Sequence, residues 1–443
     1  MDKLNREILR LSLPTIVSNI TIPLLGICDT AISGHLGSEL FLSSIAVGSV
    51  MLNVVFWIFG FLRGGTTGLT ATALGAGKEN EIAKALYRAI SIAFIAGGLL
   101  IIFQNAIFKG LWVITGGSEE IHGYVKDYFS IRIWGSPALL AVIAISGWFV
   151  GMQNTFYPMI IAILTNVINI TTSYLLSFPM GYGFNGVAIG TFLSNWVGLL
   201  IAIVCMVWFL KGRLLKCSLS NLLKGSWWRY FSVNGNLFLR SFFIICVTMG
   251  VTAAGARLGN LTLAINVIVM QFFQFFSFFI DGFAYCGEAM VGLRTGEKNL
   301  LLLSQCVRRL LQWTLGTGIL FSIIYFLGIE SITSLLTDNQ IVVEGVVELS
   351  IWISLIPIVS CWAFIYDCFY LGINDTFKMM ISSLIGGIVF FAIISMVYLD
   401  SGTYFLIDKN KVIWTSFLCY LLVRGLYLKA MWKPTLKHRF YYK

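Results

Sequence analysis

The sequence predicts an all-α polytopic membrane protein, with twelve transmembrane helices in two six-helix bundles related by a pseudo-twofold repeat. Three observations carry this expectation. Hydrophobic residues make up 58% of the 443 and charged residues 11%, where a soluble domain carries about 25% charged. The apolar residues fall in uninterrupted runs of bilayer length. The second half of the chain also repeats the first. Composition alone excludes an ordinary soluble enzyme, a disordered chain and a nucleic-acid-binding domain.

A hydrocarbon core about 30 Å thick is crossed by a helix of about 20 apolar residues. The stretches Ala89 to Phe108 and Pro158 to Met180 carry no charge at all, and about twelve such segments follow one another between short polar breaks. With 43 Gly, 7 Pro and no alternating ten-residue pattern, the spans read as helices, which satisfy their own backbone groups in lipid, and not as barrel strands. The first bundle is expected at residues 8–34, 40–75, 81–108, 122–152, 155–178 and 185–210. The second is expected at 230–256, 260–294, 299–328, 343–373, 377–399 and 411–431.

The repeat is visible by eye. His35-Leu36-Gly37 returns as Arg257-Leu258-Gly259, Gly60-Phe61 as Gly282-Phe283, and Gly65 as Gly287, all at an offset of 222. GMQNTFYPMI from Gly151 returns as GINDTFKMMI from Gly372, at 221. One slip of one residue over more than a hundred defines two lobes, 1–210 and 230–443, joined by a basic linker at 211–229. Parallel repeats of this kind are a recurring transporter design, with the substrate site near the bilayer midplane and access alternating by rocking of the halves.

The net charge of +10 is concentrated in alternate loops. Lys3, Arg6 and Arg10, then Lys78, Lys84 and Arg88, then Lys211, Arg213, Lys216, Lys224 and Arg229 mark one side. Lys298, Arg308 and Arg309, and the tail with Lys429, Lys433, Lys437, Arg439 and Lys443, complete it. The intervening loops, such as Glu330 to Glu348, are acidic or near neutral. The positive-inside rule then places both termini in the cytoplasm. The basic surface is read as solvated charge against anionic lipid, with specific lipid binding as the alternative. No nucleic acid is expected as a partner. Nine Cys without a C-x-x-C, mostly within apolar segments such as Cys28, Cys205, Cys246 and Cys419, read as small hydrophobes. The three His (His35, His122 and His438) are isolated, and no metal-ligand spacing is present. The amino terminus lacks a small-residue cleavage site, so no removed signal peptide is expected.

Ionisable groups at membrane depth cost roughly 2.5–3.5 kcal/mol each on insertion scales and are kept when paired, hydrated or used. Asp29 lies in the first helix, six residues after Pro23, which removes a backbone bond and can bend the helix. It is a candidate ion switch, or alternatively a hydrated helix-end carboxylate. Asp281 and Glu288 share one face of the eighth helix, seven residues apart, and Asp367 lies in the tenth. These three could bind cations or titrate. Arg240 can reach the same lobe, and the competing reading is a charge-neutralising network around it that fixes helix packing. Arg63, within a run of small residues at Gly60, Gly64 and Gly68, reads as close packing with a snorkelling side chain. Asn166, Asn169 and Ser173 form one polar stripe on the fifth helix, which Thr191 can join. That stripe is either a ligand site or interhelical hydrogen bonding. The run MQFFQFFSFF contributes Met270, Phe275 and Phe279 as a candidate aromatic surface for organic cations, or else a lipid-facing one. GYGFNG at 181–186 has no preceding strand, and AGKEN around Lys78 lacks the P-loop pattern, so neither is a nucleotide site. Without an ATPase module, pumping would draw on an ion gradient.

LPTIVSNITIPLLGICDTAISGHLG, GFLRGGTTGLTATALGAG, NTFYPMIIAILTNVINI, GYGFNGVAIGT, NLFLRSFF, IDGFAYCGEAMVG and WAFIYDCFYLG follow one another along nearly the whole chain. In these segments the sequence resembles the multidrug and toxic compound extrusion (MATE) transporters, specifically their DNA-damage-inducible-F branch. The resemblance implies two six-helix bundles arranged as a V and export of drugs or toxins against inward proton or sodium flow. It places Asp29 on the family's first-helix carboxylate, whose protonation is proposed to bend the helix. Asn169 and Thr191 fall on polar partners of that carboxylate. Ser173 stands where many relatives carry a second acid. Asp281, Glu288 and Asp367 match acids of this branch that could share the coupling role.

The expected function is therefore cation-coupled antiport, with H+ or Na+ as the coupling ion and no other cofactor. It would export organic cations or amphiphilic small molecules from the cell, acting as a monomer in the lipid bilayer. The alternative is a flippase for lipids or lipid-linked sugars, which would need several cavity Arg or Lys to hold a diphosphate. Among deep charges the sequence shows two bases, Arg63 and Arg240, against four acids. An embedded enzyme would need a metal or nucleophile constellation, and none is evident; a receptor would not need the repeat.

Overall fold

The computed structural model describes residues 3–36, 38–115, 118–211, 227–399 and 408–441, and among these every regular element is a helix. In chain order they are α1 (Lys3–Gly34), α2 (Glu39–Ile58), α3 (Phe61–Gly75), α4 (Glu79–Ile102), α5 (Gln104–Thr115), α6 (Glu119–Ile133), α7 (Ser136–Gly151), α8 (Phe156–Ser177) and α9 (Gly183–Phe209). After them come α10 (Trp227–Leu258), α11 (Asn260–Gly296), α12 (Leu300–Leu336), α13 (Gln340–Val347), α14 (Ser350–Gly372), α15 (Thr376–Leu399) and α16 (Lys409–Tyr441). Eleven spans among the described residues are long and apolar enough to cross a membrane, and twelve when the bent pair α6–α7 counts as one. The basic linker residues Arg213, Lys216 and Lys224 lie outside the described residues.

Four expected helices are interrupted. The second is divided at Phe59-Gly60 between α2 and α3. The third ends at Ile102 and resumes as α5. The tenth is divided between α13 and α14. The fourth bends by 51° between α6 and α7. Pro137, in the first turn of α7, explains the last break: it has no N–H to donate to the preceding turn and is tolerated where a helix begins. The bend also suits a close crossing, because a Cβ on Gly97 of α4 would lie 2.5 Å from the Pro137 Cα.

The chain forms two compact units. One contains Leu13–Trp227; the other contains Trp228–Lys443 together with Met1–Ser12. The sequence expectation gave residues 1–210 to the first lobe, yet the first twelve pack with the second. Trp313 donates its indole N–H to Asn5 Oδ1 (3.2 Å), Arg294 lies 3.5 Å from Glu7 Oε2, and the Cys286 thiol points at the Ile8 carbonyl (3.7 Å). Ser12 is followed two residues later by Pro14, and α1 continues through it and through Pro23 as one helix.

Each unit has its own core. In the first, Trp148, Phe149, Tyr128 and Phe129 are fully buried; in the second, Trp414, Phe417, Phe276 and Phe390 are. By contrast Trp208, Leu327 and Val113 stay about four-fifths exposed, as lipid-facing residues would. The close packing expected around Gly64 and Gly68 is present, with its tightest points on the facing helix. Thr67 Oγ1 donates to the Gly147 carbonyl (2.9 Å), and a Cβ on Gly151 would meet Thr70 at 2.6 Å.

The repeat extends to the backbone. Gly77 and Lys298 both have left-handed φ (64° and 56°), as do Gln153 and Asn374 (61° and 56°), and each pair is 221 residues apart. The residue after each donates its N–H five residues back: Lys78 to Ala73, Asn299 to Arg294, Asn154 to Phe149 and Asp375 to Tyr370. These are the same helix C-cap, made four times. Gly65 and Gly287 match at 222 and Gly77 and Lys298 at 221, so the one-residue slip falls between them.

Candidate substrate and ion sites

In the first unit the sites rest on α1, α6, α8 and α9. A stripe of small residues on α9 (Gly186, Gly190, Ser194 and Gly198) recurs every four positions and so lies along one face. It lets α8 approach at backbone range: a Cβ on Gly190 would sit 2.5 Å from Ser173 Oγ and 2.6 Å from its N, and one on Gly186 would sit 2.6 Å from the Ser177 N. At that separation hydroxyls on α8 reach α9 carbonyls. Thr172 donates to Gly190 O (3.2 Å) and Ser173 to Val187 O (3.4 Å), while Thr191 donates to the same Val187 carbonyl (3.1 Å). Ser173 also contacts Asn169 Oδ1 at 3.3 Å. Asn169, Ser173 and Thr191 therefore come together: Ser173 contacts Asn169 on its own helix and crosses to α9 to share the Val187 carbonyl with Thr191. Asn166 turns elsewhere. Its Nδ2 donates to Thr21 Oγ1 (2.8 Å) and approaches Thr21 O (3.4 Å), tying α8 to α1 two residues before Pro23.

Asp29, two turns further along α1, is 8% exposed, and its Oδ1 is buried without a hydrogen-bond partner. The cation that acts on it electrostatically is Arg132, at the end of α6. Arg132 donates Nη1 to Tyr128 Oη (2.5 Å) and lies over that ring, 5.1 Å from its centroid. The same Nη1 reaches Ser49 Oγ at 3.4 Å, and Ser49 is 3.0 Å from the Tyr128 hydroxyl. The Arg132 Nε is buried and unpartnered. Sequence reading missed Arg132, although it lies ten residues inside the helix expected at 122–152, a depth of about 15 Å.

In the second unit the densest charge lies on α10, α14 and α16. Asp367, 3% exposed on α14, accepts three bonds on one oxygen. Arg240 of α10 gives Oδ2 its Nε (3.2 Å) and Nη2 (2.7 Å), and Arg424 of α16 gives Nη2 (2.5 Å). Arg424 is 5% exposed; its Nη1 donates to Tyr420 Oη (3.0 Å), and its guanidinium lies 5.2 Å from that ring centroid. Asp367 Oδ1 and Arg424 Nε are buried without partners. Asp281 is half-buried on α11. Glu288, 3% exposed, lies where α11 meets Gly372 of α14, whose Cβ would be 2.9 Å from the Glu288 carbonyl. Neither acid is among the partners of Arg240 or Arg424.

The aromatic run on α11 divides between core and surface. Phe272 and Phe276 are core residues, Met270 and Phe279 pack against that core, and Phe275 is 48% exposed. Phe279 lies 4.9 Å from Phe321, tilted, and 5.4 Å from Phe275, edge-on, centroid to centroid. The count of deep bases also changes. Arg88, grouped by sequence with the cytoplasmic-side charges although inside the helix expected at 81–108, is 7% exposed within α4, and Arg132 and Arg424 join Arg63 and Arg240. The excess of acids over bases used against a flippase therefore does not hold.

Comparison with known proteins settles the family on other grounds. The MatE family profile matches residues 14–175 and 237–397, one match in each half of the repeat. The chain is 30% identical over 435 residues to DNA damage-inducible protein F of Escherichia coli K12, covering 97% of this chain and 92% of that one. A probable multidrug resistance protein NorM of Thermotoga maritima is 28% identical over 207 residues, 45% of this chain and 43% of its own length. The fold matches the bent form of the Vibrio cholerae MATE transporter VcmN with a TM-score of 0.85, at 18% identity over 98% of both chains. The chain belongs to the MatE family of membrane transporters.

Proposed function

We propose that this transporter is a proton-coupled antiporter that exports organic cations or amphiphilic small molecules across the inner membrane, and that Asp29 is its coupling residue. The observation that carries the reading is Asp29 itself, a buried carboxylate with an unpartnered oxygen on a helix containing Pro23. A lone carboxylate has the chemistry to take one proton, and its charge changes when it does. Substrate and proton then compete through linkage, since the protonated acid no longer attracts a cation. Pro23 has no N–H to donate to the preceding turn, so α1 is weakened in the segment that Asn166 tethers. The multidrug-resistance label of the NorM relative supports a drug-like substrate. Asp367 serves this reading less well, because its accepting oxygen is already engaged by two guanidinium groups.

The test is transport of a fluorescent organic cation into proteoliposomes, with pH and sodium gradients imposed separately. The wild type is expected to respond to the pH gradient, and Asp29→Asn to lose that response. Undiminished pH-driven transport by Asp29→Asn, or transport driven by sodium alone, overturns the assignment.

A further inference from the structure

We propose that Arg240 forms an oxyanion subsite in the second unit, holding a carboxylate of the transported molecule. The inference rests on the transporter reading above and specifies one chemical group of the substrate. A guanidinium has two edges that can each make a forked contact: Nε with Nη2, and Nη1 with Nη2. Arg240 spends the first edge entirely on one oxygen of Asp367, at 3.2 and 2.7 Å. Its Nη1 makes no hydrogen bond among the described residues, and 24% of the side chain remains accessible. Asp367 thus fixes the plane of the guanidinium and leaves its second edge presented.

The charge balance points the same way. Two guanidinium groups meet one carboxylate oxygen. Arg424, nineteen-twentieths buried, keeps an unpartnered Nε in the same cluster. Arg240 lies eight residues into its span, about 12 Å from the end, where an uncompensated charge against hydrocarbon is costly. An anion at the presented edge neutralises the surplus. A planar carboxylate matches that edge in a way an ammonium or a neutral group does not. A metal cation at Asp367 would find Oδ1 without a bond, but beside two guanidinium groups that repel it.

The test uses the full chain and a matched pair of dyes, rhodamine B, which carries a carboxylate, and its ethyl ester, which does not. Fluorescence anisotropy in lipid-free detergent is expected to show rhodamine B binding about tenfold tighter than the ester, the value of one charge-assisted fork. Arg240→Gln is expected to abolish that difference while leaving ester affinity unchanged, and Arg240→Lys to restore part of it. Equal binding of acid and ester by the wild type overturns the subsite, and needs no variant to fold. An equal loss of both dyes in Arg240→Gln overturns it too, since that is what a purely structural arginine would give. Nanodiscs of rising phosphatidylglycerol content separate the sources of the oxyanion: rhodamine B affinity that falls with that lipid assigns the site to lipid phosphate and overturns the substrate assignment. Gradient-driven transport of the ester in proteoliposomes reports on the parent reading independently. Ester transport without preferential acid binding rejects the subsite alone, and preferential acid binding without transport of either dye rejects the transport reading alone.

Discussion

Replacing Asp367 by Asn keeps the shape of the side chain and removes its charge. Asp367 Oδ2 is the shared acceptor for three N–H groups, two from Arg240 and one from Arg424. Without the carboxylate, two guanidinium groups face each other with no anion between them, and Arg424 is 5% exposed. Breaking a buried pair by removing one partner costs about 3–5 kcal/mol, most of it from the stranded charge. Arg424→Met leaves a different remainder, a neutral Arg240–Asp367 pair with an apolar neighbour of similar length. Its expected cost is about 1–2 kcal/mol, chiefly the lost charged hydrogen bonds to Asp367 and Tyr420. Combining the two substitutions removes the carboxylate and its most buried partner together, leaving Arg240, which is a quarter accessible. The double variant should therefore be less damaged than the sum of the singles, by about 2 kcal/mol. Unfolding of the full chain in mixed micelles by titrated dodecyl sulfate, followed by circular dichroism, measures all four corners of the cycle. Additivity within about 0.5 kcal/mol would refute the argument, because it would mean the three side chains do not share their charge.

Further outcomes follow from the packing. Gly190→Ala should destabilise the first unit by about 1–3 kcal/mol, since the new methyl meets the Ser173 backbone at 2.6–2.7 Å. Gly98→Ala, with open space at its Cβ, should be neutral or stabilising by up to about 1 kcal/mol, and the same unfolding titration compares the two. Tyr128→Phe removes the hydroxyl that joins Arg132 to Ser49 and should cost about 1 kcal/mol or more, read from the same transition. Cys286, Cys306, Cys361 and Cys368 are buried, so intact-mass analysis should find them unlabelled by N-ethylmaleimide in the folded protein and labelled after denaturation.

Helix number was legible because span length and apolarity are set directly by bilayer thickness, and each expected span overlaps an observed helix. The interruptions at Phe59-Gly60, at Phe103, at Trp134-Gly135 and at Glu348-Leu349 were not, because one or two residues barely change hydropathy averaged over a whole span. Pro137 was the available signal for one of them. Among the site residues, Asp29 and Asp367 could be picked out as acids in apolar surroundings. Arg240 could be named as a base able to neutralise the lobe of Asp367, but the other partners could not. Arg132 and Arg424 sit 103 and 57 residues away in sequence, and only tertiary packing shows which base reaches which acid. The α8–α9 contact was half legible: the polar residues 166, 169 and 173 were visible as a stripe, while the small residues 186, 190, 194 and 198 that admit them were overlooked. The twelve-residue amino-terminal segment was assigned by order in the chain, and its bonds to Trp313 and Arg294 carry no periodic signature.

Ser173 has a thermodynamic consequence. It is buried and hydrogen-bonded to Asn169 and Val187, and among the described residues it leaves Asp29 as the one buried acid of the first unit. On the proposed reading, in which Asp29 alone couples transport, one proton would enter for each monovalent cation that leaves. That exchange moves no net charge, so the membrane potential contributes nothing to it. The steepest substrate gradient it can sustain is then about tenfold for each unit of pH difference, since one pH unit is worth 1.36 kcal/mol. A transporter with that stoichiometry could build a substrate gradient no steeper than the proton gradient itself, whatever the membrane potential.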